Sequence, residues 1–327
     1  MLMHPSTVLF YFTLFTSVVI TTSSNSWFTA WIGLEINLLA FIPLVLAKKN
    51  KYSVESALKY FLIQSLASIF IILASAVSAK HNFSLLILLM LLLKSGVAPS
   101  HQWMPALVEG LSWPVFTTLM TLQKMNPLIL IFFLFKTDLI YMFVLMYILT
   151  SCLVGALGGL TQTSLRKIIA YSSITHLAWM LSTLPVSSWL WFSYFVVYAF
   201  VLTSVTVLLS YTHMSTLNHI ANMNKSHLSL VVAASILSLG GLPPFTGFLG
   251  KFMVVQQMTV TPDSPLLIPL LASTYISLFF YTRILLTSLV LSSSTLSTTK
   301  SAKKTNSNLL AFNLVGLLLP ALCMIIL

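Results

Sequence analysis

The sequence predicts an all-α polytopic membrane protein with about eleven transmembrane helices, two of them broken. Hydrophobic residues make up 58% of the 327 residues and charged residues only 6%, and the mean hydropathy is +0.98. A soluble domain carries roughly a quarter charged residues, so this composition cannot supply a soluble surface. The apolar residues form runs of about 20, the length of a helix that crosses a bilayer. Lipid is therefore the predicted main solvent of the chain.

Eleven apolar runs, separated by polar breaks, are predicted to be helices because lipid leaves backbone polar groups no other partner than their own segment. The candidate spans are 5–22, 26–47, 53–78, 82–109, 114–135, 138–160, 164–184, 188–211, 227–258, 264–291 and 308–327. Residues 1–291 then form one membrane domain of ten spans. The stretch 292–307 is a polar linker, and 308–327 is a peripheral last transmembrane helix.

Two of these spans are too long and too interrupted to be ordinary helices. The fourth contains Lys94-Ser-Gly-Val-Ala-Pro99, and the ninth contains Gly240-Gly-Leu-Pro-Pro244. Proline removes a backbone donor and clashes with the preceding turn, so each span is predicted to be a discontinuous helix. The breaks lie five spans apart. Because five is odd, the two halves would be inverted in the membrane, as in the inverted repeats of secondary transporters.

The charges in the loops predict the orientation. With eleven spans, ten basic residues share the side of the N-terminus and two lie opposite. The ten are Lys48, Lys49, Lys51, Lys59, Arg166, Lys167, Lys225, Lys300, Lys303 and Lys304. By the positive-inside rule the N-terminus lies inside, in the matrix or cytoplasm, and the C-terminus outside. The net charge of +11 is thus attributed to topology, and nucleic acid is not an expected partner.

No motif for a cofactor or a metal is found in the sequence. Cys152 and Cys323 lie in separate apolar runs and cannot form a CxxC motif, an iron–sulfur ligand set or a zinc site. The chain has no glycine-rich phosphate loop and no dinucleotide fingerprint. We therefore expect any redox cofactor to be bound by another chain.

Five charged residues lie well inside the predicted spans rather than near the loops: Glu35, Lys94, Lys124, Lys251 and Arg283. Such residues are costly in lipid and usually face a protein interior or a water-filled path. Lys124 lies roughly 15 Å from either face at about 1.5 Å per residue, too deep for its amine to snorkel to the headgroups. Lys94 and Lys251 flank the two breaks, where unwound backbone is tolerated only if it lines a cavity or is buried.

One glutamate and several lysines on neighbouring spans are the components of a proton relay. Burial favours the uncharged form of a lysine, which lets the amine exchange a proton near neutral pH. Arg283 stays protonated, so a counter-ion or anchoring role is expected of it. His101 and His176 also lie at or near membrane depth, but a buried histidine is more often a hydrogen-bonded core residue, and both interpretations stay open.

Four motifs together are typical of one family. They are WFTAWIGLEINL (27–38), LLKSGVAP (92–99), GLTQTSLRK (159–167) and SLGGLPPFTGF (238–248). In order and spacing they resemble mitochondrial NADH dehydrogenase subunit 2, a family of antiporter-like core subunits of respiratory complex I. The resemblance covers nearly the whole chain apart from 292–327.

The resemblance implies a subunit of NADH:ubiquinone oxidoreductase that contributes to proton translocation across the mitochondrial inner membrane. NADH, FMN, iron–sulfur clusters and ubiquinone would be bound by other subunits, so this chain would hold no cofactor. Its partners would be other membrane-arm subunits, phospholipids, protons and internal water. Animal members lack three N-terminal helices, which leaves eleven and places the N-terminus in the matrix and the C-terminus in the intermembrane space.

Residue by residue, the resemblance places Glu35, Lys94, Lys124 and Lys251 at the glutamate and lysines of the family's relay. It adds His101 and His176 provisionally to the same hydrated axis. Gly250 stands where proline is usual in the family. The backbone geometry just before Lys251 therefore stays open. Two other functions remain possible at this stage. The chain could be a stand-alone cation/proton antiporter, or a membrane-arm scaffold whose buried charges only set packing.

Overall fold

The computed structural model describes residues 5–48, 50–77, 82–135, 137–212, 214–217, 219, 226–243 and 245–292. Over these ranges the backbone is almost entirely helical, and its β-type pairing is a bridge between Ser164 and Thr216. The predicted linker from residue 293 onward and the predicted last helix, 308–327, lie outside the described residues. The chain divides into two compact units, Met1–Thr150 and Ser151–Leu327.

Among the described residues, the first unit contains seven α-helices and the first part of an eighth. They are α1 (Pro5–Thr22), α2 (Trp27–Leu46), α3 (Lys51–Ala76), α4 (Asn82–Ser95), α5 (Trp103–Leu107), α6 (Trp113–Met120), α7 (Leu122–Leu134) and the beginning of α8 (Asp138–Leu160). Helix α2 packs against α1 and α3, and α4 packs against α3 and α7. Gly33 lets α1 and α2 approach closely, since a Cβ there would lie 3.2 Å from the Ser17 carbonyl oxygen.

In the part of the second unit that the structure describes, the rest of α8 is followed by five further α-helices. They are α9 (Leu165–Thr183), α10 (Ser188–Thr212), α11 (Ser226–Gly240), α12 (Gly247–Val260) and α13 (Leu267–Ser292). Helix α11 packs against α13 and α10, and α12 packs against α10 and α9. These contacts surround α9 and bring α10 and α12 beside it.

Both predicted helix breaks are confirmed. The fourth span divides between α4, which ends at Ser95, and α5, which begins at Trp103. The ninth span divides between α11 and α12. A glycine with a positive φ angle begins each break, Gly96 at 76° and Gly241 at 74°. In this left-handed region a residue with a Cβ is strained, so glycine suits the point where each helix must stop.

The predicted span 114–135 is not one regular helix. Thr121, with φ −115° and ψ −83°, separates α6 from α7. Four residues into α7 lies Asn126-Pro127, and proline has no N–H to continue the helical hydrogen bonds. The interruption lies three residues before Lys124, a feature that the apolar run conceals.

Seven helices in the described part of the chain are long and apolar enough to cross a membrane, and two shorter apolar helices accompany them. The predicted total of eleven spans stays a prediction. Helix α9 falls outside the seven because it is rich in hydroxyl groups, yet almost all of its residues are buried. Its serine and threonine hydroxyls donate hydrogen bonds to the carbonyl oxygens three residues earlier, as Ser172 does to Ile169 at 2.8 Å. A helix surrounded by protein need not be apolar towards lipid.

Candidate functional site

Glu35 lies near the middle of α2 and is partly buried. Its charge acts on two groups of neighbouring helices, the Lys94 amine of α4 and the Tyr60 hydroxyl of α3. The structure therefore brings the predicted glutamate into electrostatic contact with the first of the predicted lysines. A carboxylate at this place is an available counter-charge for a buried ammonium.

Lys94 occupies the last turn of α4 and is buried. Side chains from elsewhere in the unit donate to the carbonyl groups of the break around it. Trp103 Nε1 lies 3.0 Å from the Leu93 oxygen, and Gln64 Nε2 lies 3.3 Å from the Lys94 oxygen. Thr150 Oγ1 lies 2.9 Å from the Ala98 oxygen. Neutral donors thus satisfy the unwound backbone, so the Lys94 amine is not needed for that purpose.

Lys124 lies in the first turns of α7 and is one of the most deeply buried side chains of the described residues. Its backbone N–H donates to the Thr121 carbonyl at 3.0 Å, in the first turn after the helix interruption. Helix α7 packs against α4, which carries Lys94. The structure therefore places Lys124, as predicted, in protein interior rather than against lipid.

A network that the sequence did not predict lies beside these charges. Asn37 of α2 and Gln123 of α7 exchange two hydrogen bonds, from Asn37 Nδ2 to Gln123 Oε1 at 3.1 Å and from Gln123 Nε2 to Asn37 Oδ1 at 3.0 Å. The Tyr60 hydroxyl of α3 donates to the same Gln123 oxygen at 2.9 Å. We call Asn37, Gln123 and Tyr60 the amide bridge. Neutral polar residues in apolar spans are the signal that could have pointed to it, because burying them is costly unless they are paired.

His101 lies in the first break and is only partly buried. Its Nδ1 is 3.2 Å from the carbonyl oxygen of Pro99, two residues earlier. This local contact lies between α4 and α5, within the same unit as Lys94. The provisional role of His101 in a hydrated axis stays a prediction.

Lys251 lies near the start of α12, in the second unit, and is buried. Its Nζ donates to the Gly240 carbonyl, the last of α11, at 2.7 Å. The side chain crosses Gly241, where a Cβ would lie 2.9 Å from Lys251 Cδ. The second break therefore differs from the first, because here the lysine itself satisfies the unwound backbone.

His176 lies on α9, buried against two tyrosines of α10. Its Nδ1 is 2.8 Å from the Tyr194 hydroxyl, and its ring centroid is 4.9 Å from that of Tyr198. The three side chains line a cavity with Gly247 and Gly250, and such a cavity has room for about one water molecule. Gly250 allows the Tyr194 ring to approach α12, since a Cβ there would lie 3.1 Å from Tyr194 Cδ2.

Arg283 of α13 has the anchoring role expected of it. Its guanidinium donates to the carbonyl oxygens of Leu160 at 2.8 Å and Gln162 at 2.7 Å. Leu160 is the last residue of α8, so a permanent positive charge lies at the negative end of that helix.

Among the described residues no group of three or more histidine, cysteine or acidic residues could hold a metal ion.

The sequence matches the family described as "NADH:quinone oxidoreductase/Mrp antiporter, TM" over residues 24–84 and 75–277. It is 44% identical over 279 residues to NADH-ubiquinone oxidoreductase chain 2 of Anopheles gambiae, covering 81% of each chain. It is 40% identical over 288 residues to the same-named protein of Aedes aegypti, covering 84% of this chain and 83% of the relative.

The fold is similar to that of a chain in respiratory complex I from Thermus thermophilus. The TM-score is 0.80 at 22% sequence identity, over 98% of this chain and 79% of the other. The likeness supports the overall helical fold described above.

Proposed function

The chain belongs to the NADH:quinone oxidoreductase/Mrp antiporter family, and we propose from this that it is a proton-translocating membrane-arm subunit of respiratory complex I. The relatives named NADH-ubiquinone oxidoreductase chain 2 support the assignment to that complex. The protein is then a multi-pass protein of the mitochondrial inner membrane and part of an H⁺-translocating NADH:ubiquinone reductase.

The burial of three lysines carries the proposal of proton translocation. Lys94, Lys124 and Lys251 are 6%, 2% and 9% exposed in a chain with only 16 basic residues. Ammonium groups at such depth are costly, and they are typical of ion pathways rather than of packing. A purely structural role would be met at lower cost by apolar side chains of similar volume.

In the proposed relay, protons pass between Glu35 and the three lysines by way of internal water. Glu35 supplies a negative charge that acts on Lys94. A change in the charge of either residue therefore changes how strongly the charged form of the other is favoured. The His176–Tyr194 pair supplies polar atoms beside Gly250, the residue before Lys251, within the second unit. His101 and His176 are proposed as accessory members, since an imidazole can accept and release a proton near neutral pH.

The energy for translocation comes from elsewhere in the complex. We propose that the NADH, FMN, iron–sulfur and ubiquinone sites belong to other subunits and that this chain holds no cofactor of its own. Its direct partners are then membrane-arm subunits and phospholipids. We propose that the N-terminus lies in the matrix and the C-terminus in the intermembrane space. The reason is the distribution of basic residues between the loops, which follows the positive-inside rule.

The proposal is tested by replacing Lys124 with methionine, which has similar length and no charge. In inner-membrane vesicles that carry the assembled complex, Lys124→Met should lower the number of protons translocated per NADH oxidised. Lys48→Met is the matched control because Lys48 is exposed, and it should leave that number unchanged. Full proton yield in an assembled Lys124→Met complex would rule out this lysine as a relay member. Loss of assembly instead would favour a scaffold role.

A further inference from the structure

The amide bridge connects the helices on which the first unit's relay residues lie. Asn37 is two residues after Glu35 on α2, and Gln123 directly precedes Lys124 on α7. Amide groups do not ionise in the physiological pH range, so the bridge does not itself store a proton. We propose that Gln123 and Tyr60 are positioning residues of the relay, which hold Glu35 and Lys124 in the geometry that proton transfer requires. This inference rests on the proposed function.

Gln123 is the centre of the bridge, and its hydrogen-bonding capacity is almost completely used. Its oxygen accepts from Asn37 Nδ2 and from the Tyr60 hydroxyl, while its nitrogen donates to Asn37 Oδ1. An amide oxygen has two lone pairs, and both are occupied here. Turning the Asn37 amide would break two hydrogen bonds, and turning the Gln123 amide would break three. The residue before Lys124 is therefore fixed relative to α2.

Tyr60 extends the bridge towards the first break. Its ring is buried and packs against Phe41 and Trp103, with centroid distances of 4.8 Å and 6.2 Å. Trp103 in turn donates to the Leu93 carbonyl, next to Lys94. The single Tyr60 proton is committed to Gln123, so its oxygen has only lone pairs left to offer. Tyr60 thus connects the orientation of Gln123 with the backbone that carries Lys94.

The amide bridge links two helices, α2 and α7, whose main packing partners are other helices. Helix α7 packs mainly against α1, α4 and α6, and α2 packs mainly against α1 and α3. The side-chain pair Asn37–Gln123 joins two helices that are not primary packing partners. A second polar contact, from Thr21 Oγ1 to Asn126 Oδ1 at 2.9 Å, ties α7 to α1 instead. The Asn37–Gln123 hydrogen bonds therefore link the Glu35 helix directly to the Lys124 helix.

The test uses Tyr60→Phe in the assembled complex, because phenylalanine keeps the ring packing and removes only the hydroxyl. Misplacing reacting groups is costly, so roughly half or more of the deficit in protons per NADH seen in Lys124→Met is expected. Tyr52→Phe is the matched control, since Tyr52 lies on the same helix and is exposed. It should keep the full proton yield.

A swap of the two amides separates positioning from general damage. Asn37→Gln and Gln123→Asn should each lower the proton yield, because one amide becomes too long or too short for its partner. The double variant restores one long and one short amide, and it should recover part of the yield; the rest stays lost because the shorter residue at 123 moves the acceptor away from the Tyr60 hydroxyl. A merely structural role would not predict recovery of proton yield at constant assembly.

The outcomes distinguish this inference from the proposed function. Full yield in Lys124→Met would remove the relay and the positioning role together. A deficit in Lys124→Met with full yield in Tyr60→Phe and in both amide single variants would overturn the positioning role alone. Failure of the Tyr60→Phe complex to assemble, or no recovery in the swap, would make the bridge a structural contact and would likewise overturn it.

Discussion

At the scale of single residues, two of the three buried lysines, Lys94 and Lys251, are held in different ways. Lys251 donates to the Gly240 carbonyl, so its amine is tied to the end of a helix. Lys94 lies beside a break whose carbonyls receive neutral donors, among them Gln64. The charge of Glu35 acts on Lys94. The amines of Lys94 and Lys251 therefore have different surroundings.

Gly241→Ala tests the geometry around Lys251. A Cβ at this residue, whose φ is 74°, would lie 2.9 Å from Lys251 Cδ. The left-handed conformation alone costs alanine about 1–2 kcal/mol, and Lys251 must also move. We expect lower thermal stability of the assembled complex and a lower proton yield. In Gly250→Ala the residue is helical, and ~0.5–1 kcal/mol of helix preference offsets the contact with Tyr194. Equal effects of the two substitutions would contradict the role assigned to Gly241.

At the scale of elements, a broken helix requires donors from other helices. In the first break, donors reach the carbonyls of Leu93, Lys94 and Ala98 from three places in the chain. In the second break, the Gly240 carbonyl receives its donor from the following helix. Unwound backbone within a membrane is stable only when its polar groups are paired. These donors therefore make the breaks permanent features rather than points of unfolding.

Trp103→Phe measures the contribution of one such donor. The indole N–H to the Leu93 carbonyl is lost, and a hydrogen bond of this kind contributes about 1 kcal/mol. Trp191→Phe is the control, since Trp191 is similarly buried and its indole nitrogen has no hydrogen-bond partner among the described residues. Thermal inactivation of the complex should show the larger loss for Trp103→Phe. Equal losses would mean that ring volume, and not the hydrogen bond, stabilises the break.

The elements also show what the sequence could predict. Glycine and proline made both breaks predictable, because each acts on the backbone at its own place in the sequence. Charge in an apolar run disclosed Lys94, Lys124 and Lys251, because its burial is costly wherever the helix packs. The amide bridge was missed because its partners are 63 and 86 residues apart, and periodicity does not say which helices are neighbours. The interruption at Thr121 has no proline or glycine at that point, and the composition there is that of an ordinary span.

At the scale of the whole molecule, each of the two compact units contains a broken helix and at least one buried lysine. The first unit holds Lys94 and Lys124 with Glu35, and the second holds Lys251 with His176. Helix α9 shows how a polar helix is accommodated in a membrane protein, since other helices of its unit surround it. Each unit by itself therefore contains the helix break and the buried amine that the proposed relay requires.

The most direct test of the relay compares Lys124→Met, Lys251→Met and the double variant in the assembled complex. The measured quantity is the number of protons translocated per NADH oxidised in sealed inner-membrane vesicles. Residues that act as one unit are strongly non-additive. The relay therefore predicts a deficit in each single variant and no greater deficit in the double variant. Full proton yield in either single variant, or additive deficits in the double variant, would contradict it.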